Sequence, residues 1–243
     1  MSLVATVGTG TVIANNATGA TTVSTAVGVG KTLLGAIAWE NAATVVPTVN
    51  SISDSRGNSY TFDIGAGTDS TVAVGIFRSA PLTTALQISD TISIVLSATR
   101  SRWCMAWFAF DDILTQPAPP DQTGKEDNPS NFFNLSPYGG ATPSLTVPYQ
   151  LVFAVEGFPA PRGPTVNAPW TGLTLVETAA GSANRACQPF YQYVNSVNPV
   201  DTTGAVSLST NGTYAGALAT YPAGVLFPKV NTVKQAVKRA SFY

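Results

Sequence analysis

Two short fragments of the chain have the residue types of a nucleotide-binding site. The GKT sequence at 30–32 matches the end of a phosphate-binding loop, in which the lysine reaches the outer phosphates and the hydroxyl binds magnesium. The acids at 111–112 follow an apolar run, as a metal-binding acid on a partner strand does. However, Thr25 stands where the loop needs its first glycine, and an apolar run containing Gly35 follows where a helix is required. We therefore interpret the fragment as a turn entering a buried strand.

Carboxylates are the main remaining candidates for catalysis, because the chain has no histidine. This excludes Ser-His and Cys-His nucleophile pairs and most zinc sites. Two carboxylates could hydrolyse a glycosidic bond, and Glu156 is the residue to test in such an enzyme. The adjacent Asp111 and Asp112 point to opposite sides of a strand, which makes them a poor catalytic pair. We expect no enzymatic turnover, no cofactor and no metal site.

Aromatic and amide side chains in two long loops are candidates for binding a sugar. Tyr138 and Trp170 lie in polar, glycine-containing loops, where an aromatic ring could stack on a sugar ring. Asn131 and Asn167 are near them in sequence and could hydrogen-bond to sugar hydroxyl groups. The alternative is that these residues pack a long loop onto the rest of the protein. A host glycan is therefore one candidate ligand.

The composition favours a surface that is covered by a partner. Only 10% of the residues are charged and the net charge is −1, whereas about 25% are charged in ordinary soluble domains. Such a chain has no overall field to attract nucleic acid, and no apolar stretch approaches the roughly 20 residues of a membrane span. The first residues also lack the basic start of a secretion signal. We expect protein partners, no nucleic acid and no membrane insertion; uncharged hydroxyl-rich faces in water are the alternative.

Strand signals dominate the chain and set its fold class. Apolar or alternating segments recur at about ten-residue spacing, for example at 32–40, 49–64, 102–110 and 149–158, with Gly, Pro, Asn and Asp between them. No capped amphipathic helix interrupts the series. The spacing predicts an all-β fold, a sandwich or a barrel of antiparallel strands. We prefer a single antiparallel β-sandwich with long Pro-rich loops and a short C-terminal arm.

The chain divides into three predicted parts. Residues 1–25 form an N-terminal edge strand or arm, residues 26–228 form the sandwich domain, and residues 229–243 form a basic docking arm. The loops between 112 and 172 contain most of the 17 prolines, and the first of them could instead link two domains. The two cysteines, Cys104 and Cys187, are too few for a disulfide scaffold. We interpret them as buried thiols, with a single bridge between neighbouring strands as the alternative.

The last fifteen residues are predicted to dock on a partner protein. Pro228 limits continuation of the preceding strand, and the valines that follow it recur on one face of a helix, with the basic side chains largely off that face. Two aromatic residues at the end would anchor the arm. We expect the arm to order against an acidic, apolar surface, with a frayed basic tail as the alternative. The predicted docking residues are Val230, Val233, Lys234, Val237, Lys238, Arg239, Phe242 and Tyr243.

The order of the segments resembles the β-sandwich minor tail and other virion-surface structural proteins of tailed bacteriophages. The similarity covers roughly residues 20–225, and its pieces are GKTLLGAIAW, VNSISDSRGNSYT, STVAVGIFRS, ISDTISIVLS and YQLVFAVEGF. The resemblance implies jelly-roll or lectin-like packing of the sandwich. It further implies a non-enzymatic structural or host-surface-binding protein that forms homo-oligomers and binds other virion proteins. It also implies localisation in the virion after synthesis in the host cytoplasm. A minor tail or tail-tip protein acting by protein–protein assembly is the first expectation. A capsid decoration protein and a carbohydrate-binding module that recognises the host surface are the alternatives.

Overall fold

The computed structural model describes residues 1–13, 15–40, 48–67, 72–100, 102–114, 120–128, 141–159, 162–178, 184–209 and 212–224. These residues form antiparallel sheets and confirm the predicted all-β class. Within these ranges no helix of the length and apolarity of a membrane span is found. In chain order the strands are β1 (Ser2–Val12), β2 (Asn16–Thr22), β3 (Thr32–Glu40), β4 (Val49–Asp54), β5 (Tyr60–Gly67), β6 (Val72–Ser79), β7 (Thr91–Arg100), β8 (Trp103–Asp111), β9 (Thr123–Asn128), β10 (Gln150–Pro159), β11 (Thr165–Val166), β12 (Thr171–Gly172), β13 (Val176–Glu177), β14 (Arg185–Val194), β15 (Val206–Ser207) and β16 (Tyr214–Pro222).

Three sheets contain most of these strands. The central sheet has the order β1-β8-β3-β6-β5, and the front sheet has the order β2-β7-β4. The back sheet has the order β12-β14-β10-β16-β9, with β13 also paired to β14, and β11 and β15 form a separate short pair. The central and front sheets are therefore built from residues 2–111, and the back sheet from residues 123–222.

Strand β8 shows that the central sheet is buried on both faces. Its odd-numbered residues from Trp103 to Ala109 belong to a core shared with the front sheet, and its even-numbered residues from Cys104 to Phe110 belong to a core shared with the back sheet. Successive side chains of a strand point to opposite faces. A strand that is covered on both faces therefore needs an unbroken apolar run, which explains the sequence WCMAWFAF.

The fold has three stacked sheets, one more than a simple two-sheet sandwich. The front, central and back sheets are stacked, and the outer face of the back sheet carries a third core that is closed by loop residues including Leu145, Trp170 and Val200. The two halves of the chain share the core between the central and back sheets. The first and second halves of the chain therefore pack against each other through this core.

The Thr- and Gly-rich N-terminal residues form two edge strands. Strand β1 lies at the edge of the central sheet and β2 at the edge of the front sheet. A Cβ atom at Gly8 would lie 2.4 Å from the backbone oxygen of Thr22, and one at Gly10 would lie 2.7 Å from that of Ala20. Only glycine allows the two strands to approach this closely, because both contacts involve backbone rather than movable side chains.

The hairpin sequence DSRGNSY is organised around Asp54. Its carboxylate accepts hydrogen bonds from the Arg56 N–H at 2.8 Å, from the Asn58 side-chain amide at 2.8 Å and from the Tyr60 hydroxyl at 2.7 Å. Burial alone would raise the pKa of Asp54, but the hydrogen bonds from these partners lower it below its ordinary value. The Asn58 side-chain oxygen also accepts a hydrogen bond from the Thr84 N–H at 3.0 Å. The motif therefore holds the β4–β5 turn against the loop that follows β6.

Candidate functional site

Several strand ends are tied together at one end of the back sheet, where β10 begins and β14 and β16 end. The Ala223 N–H donates to the Tyr149 carbonyl at 2.9 Å, and the Leu114 N–H donates to the Pro222 carbonyl at 2.9 Å. The Gly224 N–H donates to the Asp112 carbonyl at 2.6 Å. These bonds fix the backbone around Tyr149, which is the residue immediately before β10.

A shallow cavity opens at this end of the sheet. It has a volume of about 270 Å³ and is lined by Met1, Tyr149, Tyr193, Val194, Asn195 and Ala223. We call this cavity the tyrosine pocket. Its lining is mostly apolar, with one amide side chain and two phenol groups as polar atoms. Cavities with apolar walls and a few polar groups are the usual form of small-ligand sites, although this one is slightly below their common size of about 300–1,000 Å³.

The two tyrosines that line the pocket are both exposed, and Tyr149 has an unusual backbone conformation. The exposed fraction is 60% for Tyr149 and 44% for Tyr193. Tyr149 has a φ of +59°, in the left-handed region that bulky residues rarely adopt. Backbone strain of this kind tends to occur where a binding site requires a particular geometry. The strain and the exposed aromatic surface are two separate reasons to regard the pocket as a candidate site.

Tyr193 is held by a chain of aromatic contacts that starts in the core. The Tyr193 ring meets Tyr191 edge-on, with 5.5 Å between ring centroids, and Tyr191 meets Phe110 edge-on at 5.6 Å. Partial burial, followed by the neighbouring Tyr191, raises the pKa of Tyr193 to about 12. Its hydroxyl is therefore protonated at neutral pH and can donate a hydrogen bond to a ligand.

The fragments that suggested a nucleotide site do meet, but as an ion pair. The Lys31 ammonium contacts the Asp111 carboxylate where β3 begins and β8 ends. Gly30 has a φ of +79° and forms a turn that leads directly into β3. The structure therefore has a strand where a phosphate loop requires a helix. In the described part of the chain, no group of three or more His, Cys, Asp or Glu side chains could hold a metal ion.

The predicted sugar-binding residues that the structure describes are used in packing. Trp170 is 9% exposed and packs edge-on against Phe190, with 5.0 Å between ring centroids. The Asn167 side-chain amide donates to the Gly204 carbonyl at 2.8 Å and to the Ser207 hydroxyl at 2.8 Å. This placement favours the packing alternative for both residues.

The other predicted site residues lie outside the described residues. They are the loop residues Asn131 and Tyr138 and the docking residues Val230, Val233, Lys234, Val237, Lys238, Arg239, Phe242 and Tyr243.

Glu156 is the most unusual titratable group in the described part of the chain. It lies on β10, is fully buried, and has no hydrogen-bond partner for either carboxylate oxygen among the described residues. In the strand register Glu156 pairs with Gly216, which pairs with Glu126, so both carboxylates lie in one row on the outer face of the back sheet. Burial, and then the charge of Glu126, raise the pKa of Glu156 well above its ordinary value.

This environment does not suit the catalytic role that we considered for Glu156. A general acid must reach the bond that it protonates, and a polysaccharide cannot contact a side chain without exposed surface. The raised pKa of Glu156 therefore follows from its enclosure. The glycosidase alternative still has its simple test, since turnover of a polysaccharide by the wild-type chain would have to disappear in Glu156→Gln.

The spacing of the tyrosines in the sequence is a weak signal for the tyrosine pocket. Tyr191 and Tyr193 alternate along one strand, so their side chains lie on one face, and Asn195 follows directly after the strand ends. Tyr149 lies between Pro148 and an apolar strand. This is a position where the chain often turns, so that a side chain can lie at the end of the sheet. The register that brings these segments together is not visible in the sequence.

No protein-family model, curated protein or solved structure matches this chain.

Proposed function

We propose that the chain is a non-enzymatic structural component of a bacteriophage virion, a minor tail or tail-tip protein that acts by protein–protein assembly. The sequence resemblance to β-sandwich virion proteins supports this proposal, and the antiparallel all-β fold agrees with it. Within the proposal the sandwich is of jelly-roll or lectin-like type. The observation that carries the assembly role is the distribution of exposed apolar side chains.

Half of the large apolar side chains that are exposed in the described residues come from segments that meet at one end of the molecule. Single exposed apolar residues are ordinary, but a concentration of them marks an interaction surface. Leu114 and Tyr149 belong to the strand ends that are tied together there, Tyr193 lines the same pocket as Tyr149, and Val197 accepts a backbone hydrogen bond from Leu145. We call this group the apolar end; its members are Leu114, Val147, Tyr149, Tyr193 and Val197.

The low charge of the chain favours the same conclusion. Apolar area removed from water contributes about 25 cal/mol per Å², and only 10% of the residues of the chain are charged. The apolar end also carries an ion pair, between the Met1 ammonium and the Asp112 carboxylate at 3.7 Å. Residue 224 is hydrogen-bonded to Asp112 at this end, so the predicted docking arm at 229–243 follows shortly after it in sequence. The partners in this proposal are other virion proteins and further copies of the chain.

Labelling of intact particles tests the location. Gold-labelled antibodies raised against the purified chain should bind virions of the phage that encodes it, at the tail or the tail tip. Labelling spread over the head would instead identify a capsid decoration protein, which is the close alternative. A virion preparation that contains no copy of the chain by mass spectrometry would contradict both roles.

The oligomeric state tests whether the apolar end is the contact surface. In light scattering on the purified full chain, we expect a homo-oligomer whose mass falls towards that of a monomer in the double variant Leu114→Ser, Val147→Ser. Ile88→Ser is the matched control, because Ile88 is 66% exposed and lies outside the apolar end. If the control lowers the mass as much as the double variant, the apolar end has no special role.

Carbohydrate recognition is a second candidate function, and the exposed tyrosine pair favours it. The apolar C–H face of a pyranose ring can stack on a tyrosine ring, whereas its hydroxyl groups need polar partners. The tyrosine pocket supplies both kinds of group, since Tyr149, Tyr193 and Asn195 all contribute to its lining. In this form the host glycan would contact the tyrosine pocket rather than Tyr138 and Trp170.

A glycan array followed by calorimetry on any hit tests this second function. Binding should be lost in Tyr149→Ser and Tyr193→Ser but only weakened in Tyr193→Phe, because phenylalanine preserves the stacking surface and lacks only the hydroxyl donor. Trp170→Phe should leave binding unchanged, because Trp170 is almost fully buried. Loss of glycan binding with an unchanged oligomer mass would separate recognition from assembly. A wild-type chain that binds no glycan would leave assembly as the function of the apolar end.

A further inference from the structure

The two cysteines of the chain face each other across the core between the central and back sheets. Cys104 lies on β8 and Cys187 on β14, and both thiols are buried and free. The Cys104 Sγ is 3.7 Å from the Arg185 carbonyl oxygen, which belongs to β14. Cys104 is near enough to the Cys187 thiol to contribute, after burial, to the rise in its pKa. The pair therefore joins two facing sheets, and not neighbouring strands of one sheet as the sequence suggested for a bridge.

Small residues beside the cysteines bring the two sheets unusually close. In the strand registers Cys104 pairs with Ala38 and Cys187 pairs with Gly157. A Cβ atom at Gly157 would lie 3.1 Å from the Ala38 Cβ. With Cα–Cβ bonds of about 1.5 Å, the Cα atoms of these neighbours are at most about 6 Å apart. Packed sheets are usually about 10 Å apart.

This spacing matches what a disulfide requires. Bridged cysteines have Cα atoms about 4.4–6.8 Å apart, and the cysteines lie next to Gly157 and Ala38 in the same row. With a larger residue at 157 the sheets would have to separate, and the two sulfur atoms with them. The two sheets are therefore close enough beside the cysteines for a bridge between them.

We propose that Cys104 and Cys187 are an inter-sheet disulfide site, which is filled when the chain folds under oxidising conditions. A dithiol–disulfide exchange forms the bond. The thiolate of one cysteine attacks a small oxidised disulfide such as oxidised glutathione and displaces one glutathione thiolate. The second cysteine then attacks the mixed disulfide, forms the Cys104–Cys187 bond and displaces the second glutathione. The protein loses two electrons and two protons, and the oxidant gains them.

The timing of this step follows from the burial of the pair. Burial raises the pKa of Cys187 well above its ordinary value, so the thiolate is scarce in the folded chain. An external oxidant also has no path to a buried thiol. Oxidation therefore occurs while the chain folds or opens, and the finished bond is protected from reductants afterwards. In the reducing cytoplasm of a host cell the chain would keep both thiols.

Refolding of the full chain in two redox buffers tests the proposal. The chain is unfolded in urea and refolded either with a mixture of reduced and oxidised glutathione or with excess dithiothreitol. It is then denatured with an alkylating reagent and analysed by mass spectrometry. From the glutathione buffer we expect chains without alkylated cysteines and a crosslinked peptide containing residues 104 and 187. Their Tm should exceed that of the reduced chain by about 5 °C or more, because the bond closes a long loop.

Three results would overturn the proposal. They are two alkylated thiols in chains that have refolded with native circular dichroism, glutathione retained on one cysteine, and a bridged chain with a Tm at or below that of the reduced one. Cys104→Ala and Cys187→Ala serve as controls, and their Tm should not depend on the redox buffer. If an alanine variant fails to fold, the crosslinked peptide of the wild-type chain still decides the matter.

Discussion

Tyr221 of the back sheet donates a hydrogen bond to Asp63 of the central sheet, with 2.7 Å between the hydroxyl oxygen and Oδ2. The Arg78 Nε lies 3.3 Å from the same carboxylate oxygen, and the Asp63 side chain is 1% exposed. Burial raises the pKa of Asp63, and the hydrogen bond from Tyr221 and the charge of Arg78 oppose this rise. The two sheets are thus joined by a polar contact at the margin of an apolar core.

Removing the Tyr221 hydroxyl should destabilise the fold. In Tyr221→Phe the buried Asp63 carboxylate loses a donor, and we expect the free energy of unfolding to fall by about 1–3 kcal/mol. Urea denaturation at pH 7 measures this difference. Tyr149→Phe removes a hydroxyl from an exposed ring and should change stability by less than about 0.5 kcal/mol. Similar losses in both variants would show that the contact with Asp63 has no particular weight.

Replacing Glu156 should stabilise the protein at neutral pH. The folded state keeps the proton of Glu156 above the ordinary pKa of 4.5, whereas the unfolded state releases it. Below pH 4.5 Glu156 is protonated in both states, and its contribution to the free energy of unfolding is fully present. As pH rises from 4.5 through the raised pKa of the folded state, this contribution is lost, and the free energy of unfolding falls by up to about 1.4 kcal/mol per pH unit. Because glutamine does not titrate, Glu156→Gln should be more stable than the wild type at pH 7 and about equal to it near pH 4.

Urea titrations at pH 4, 5.5 and 7 measure this dependence. Glu177→Gln is the control, because the side chain of Glu177 is exposed and the substitution changes no buried carboxyl group. A difference in stability between Glu156→Gln and the wild type that stays constant across this range would mean that folding does not raise the pKa of Glu156.

An added methyl group at Gly8 should separate β1 from β2. The new Cβ of Gly8→Ala would lie 2.4 Å from the Thr22 backbone oxygen, whereas one at Gly28 would meet nothing within 4 Å. We expect Gly8→Ala to lower the free energy of unfolding by about 1–3 kcal/mol. Gly28→Ala should leave it unchanged or raise it by up to about 1 kcal/mol. Denaturation curves that coincide for the two variants would show that the edge strands are free to move apart.

Relief of backbone strain at Tyr149 should improve stability while it removes a binding surface. A left-handed conformation costs an ordinary residue about 1–2 kcal/mol, and asparagine tolerates it well. Tyr149→Asn should therefore be more stable than Tyr193→Asn, since Tyr193 lies in a regular strand. Urea denaturation of both variants gives the comparison. An equal or lower stability of Tyr149→Asn would show that the conformation at this position carries no strain.

The buried strands were the most predictable part of the fold. The segment predicted at 32–40 coincides with β3, and the segments at 102–110 and 149–158 differ from β8 and β10 by one residue at each end. A strand that is buried on both faces has an unbroken apolar run. The polar residues on either side of such a run mark the ends of the strand in the sequence. Strand β9, with the sequence TGKEDN, was missed because an edge strand held by backbone pairing to β16 needs no apolar side chains.

The stacking of three sheets and the candidate site could not be derived in the same way. A strand with apolar residues on both faces must be covered on both sides. Its sequence does not show which other sheets cover it. Tyr149 and Tyr193 line one pocket only because β10 pairs with β14 in a register that places Gln150 opposite Val194. Trp170 was predicted to stack on a sugar because its loop is polar. In the structure, however, its ring packs in the third core.

The order in which the sheets occur along the chain has a consequence for biosynthesis. The central and front sheets are complete at residue 111, whereas the back sheet ends only at residue 222. At synthesis rates of about 5–20 residues per second, the second half emerges over roughly 5–20 s. During this interval the nascent chain can assemble two sheets and exposes the apolar face that carries Phe108 and Phe110 to solvent. Slow translation of the second half would prolong the exposure of this apolar surface and so the risk of aggregation. A chaperone that binds extended apolar surfaces would have its largest effect at this stage.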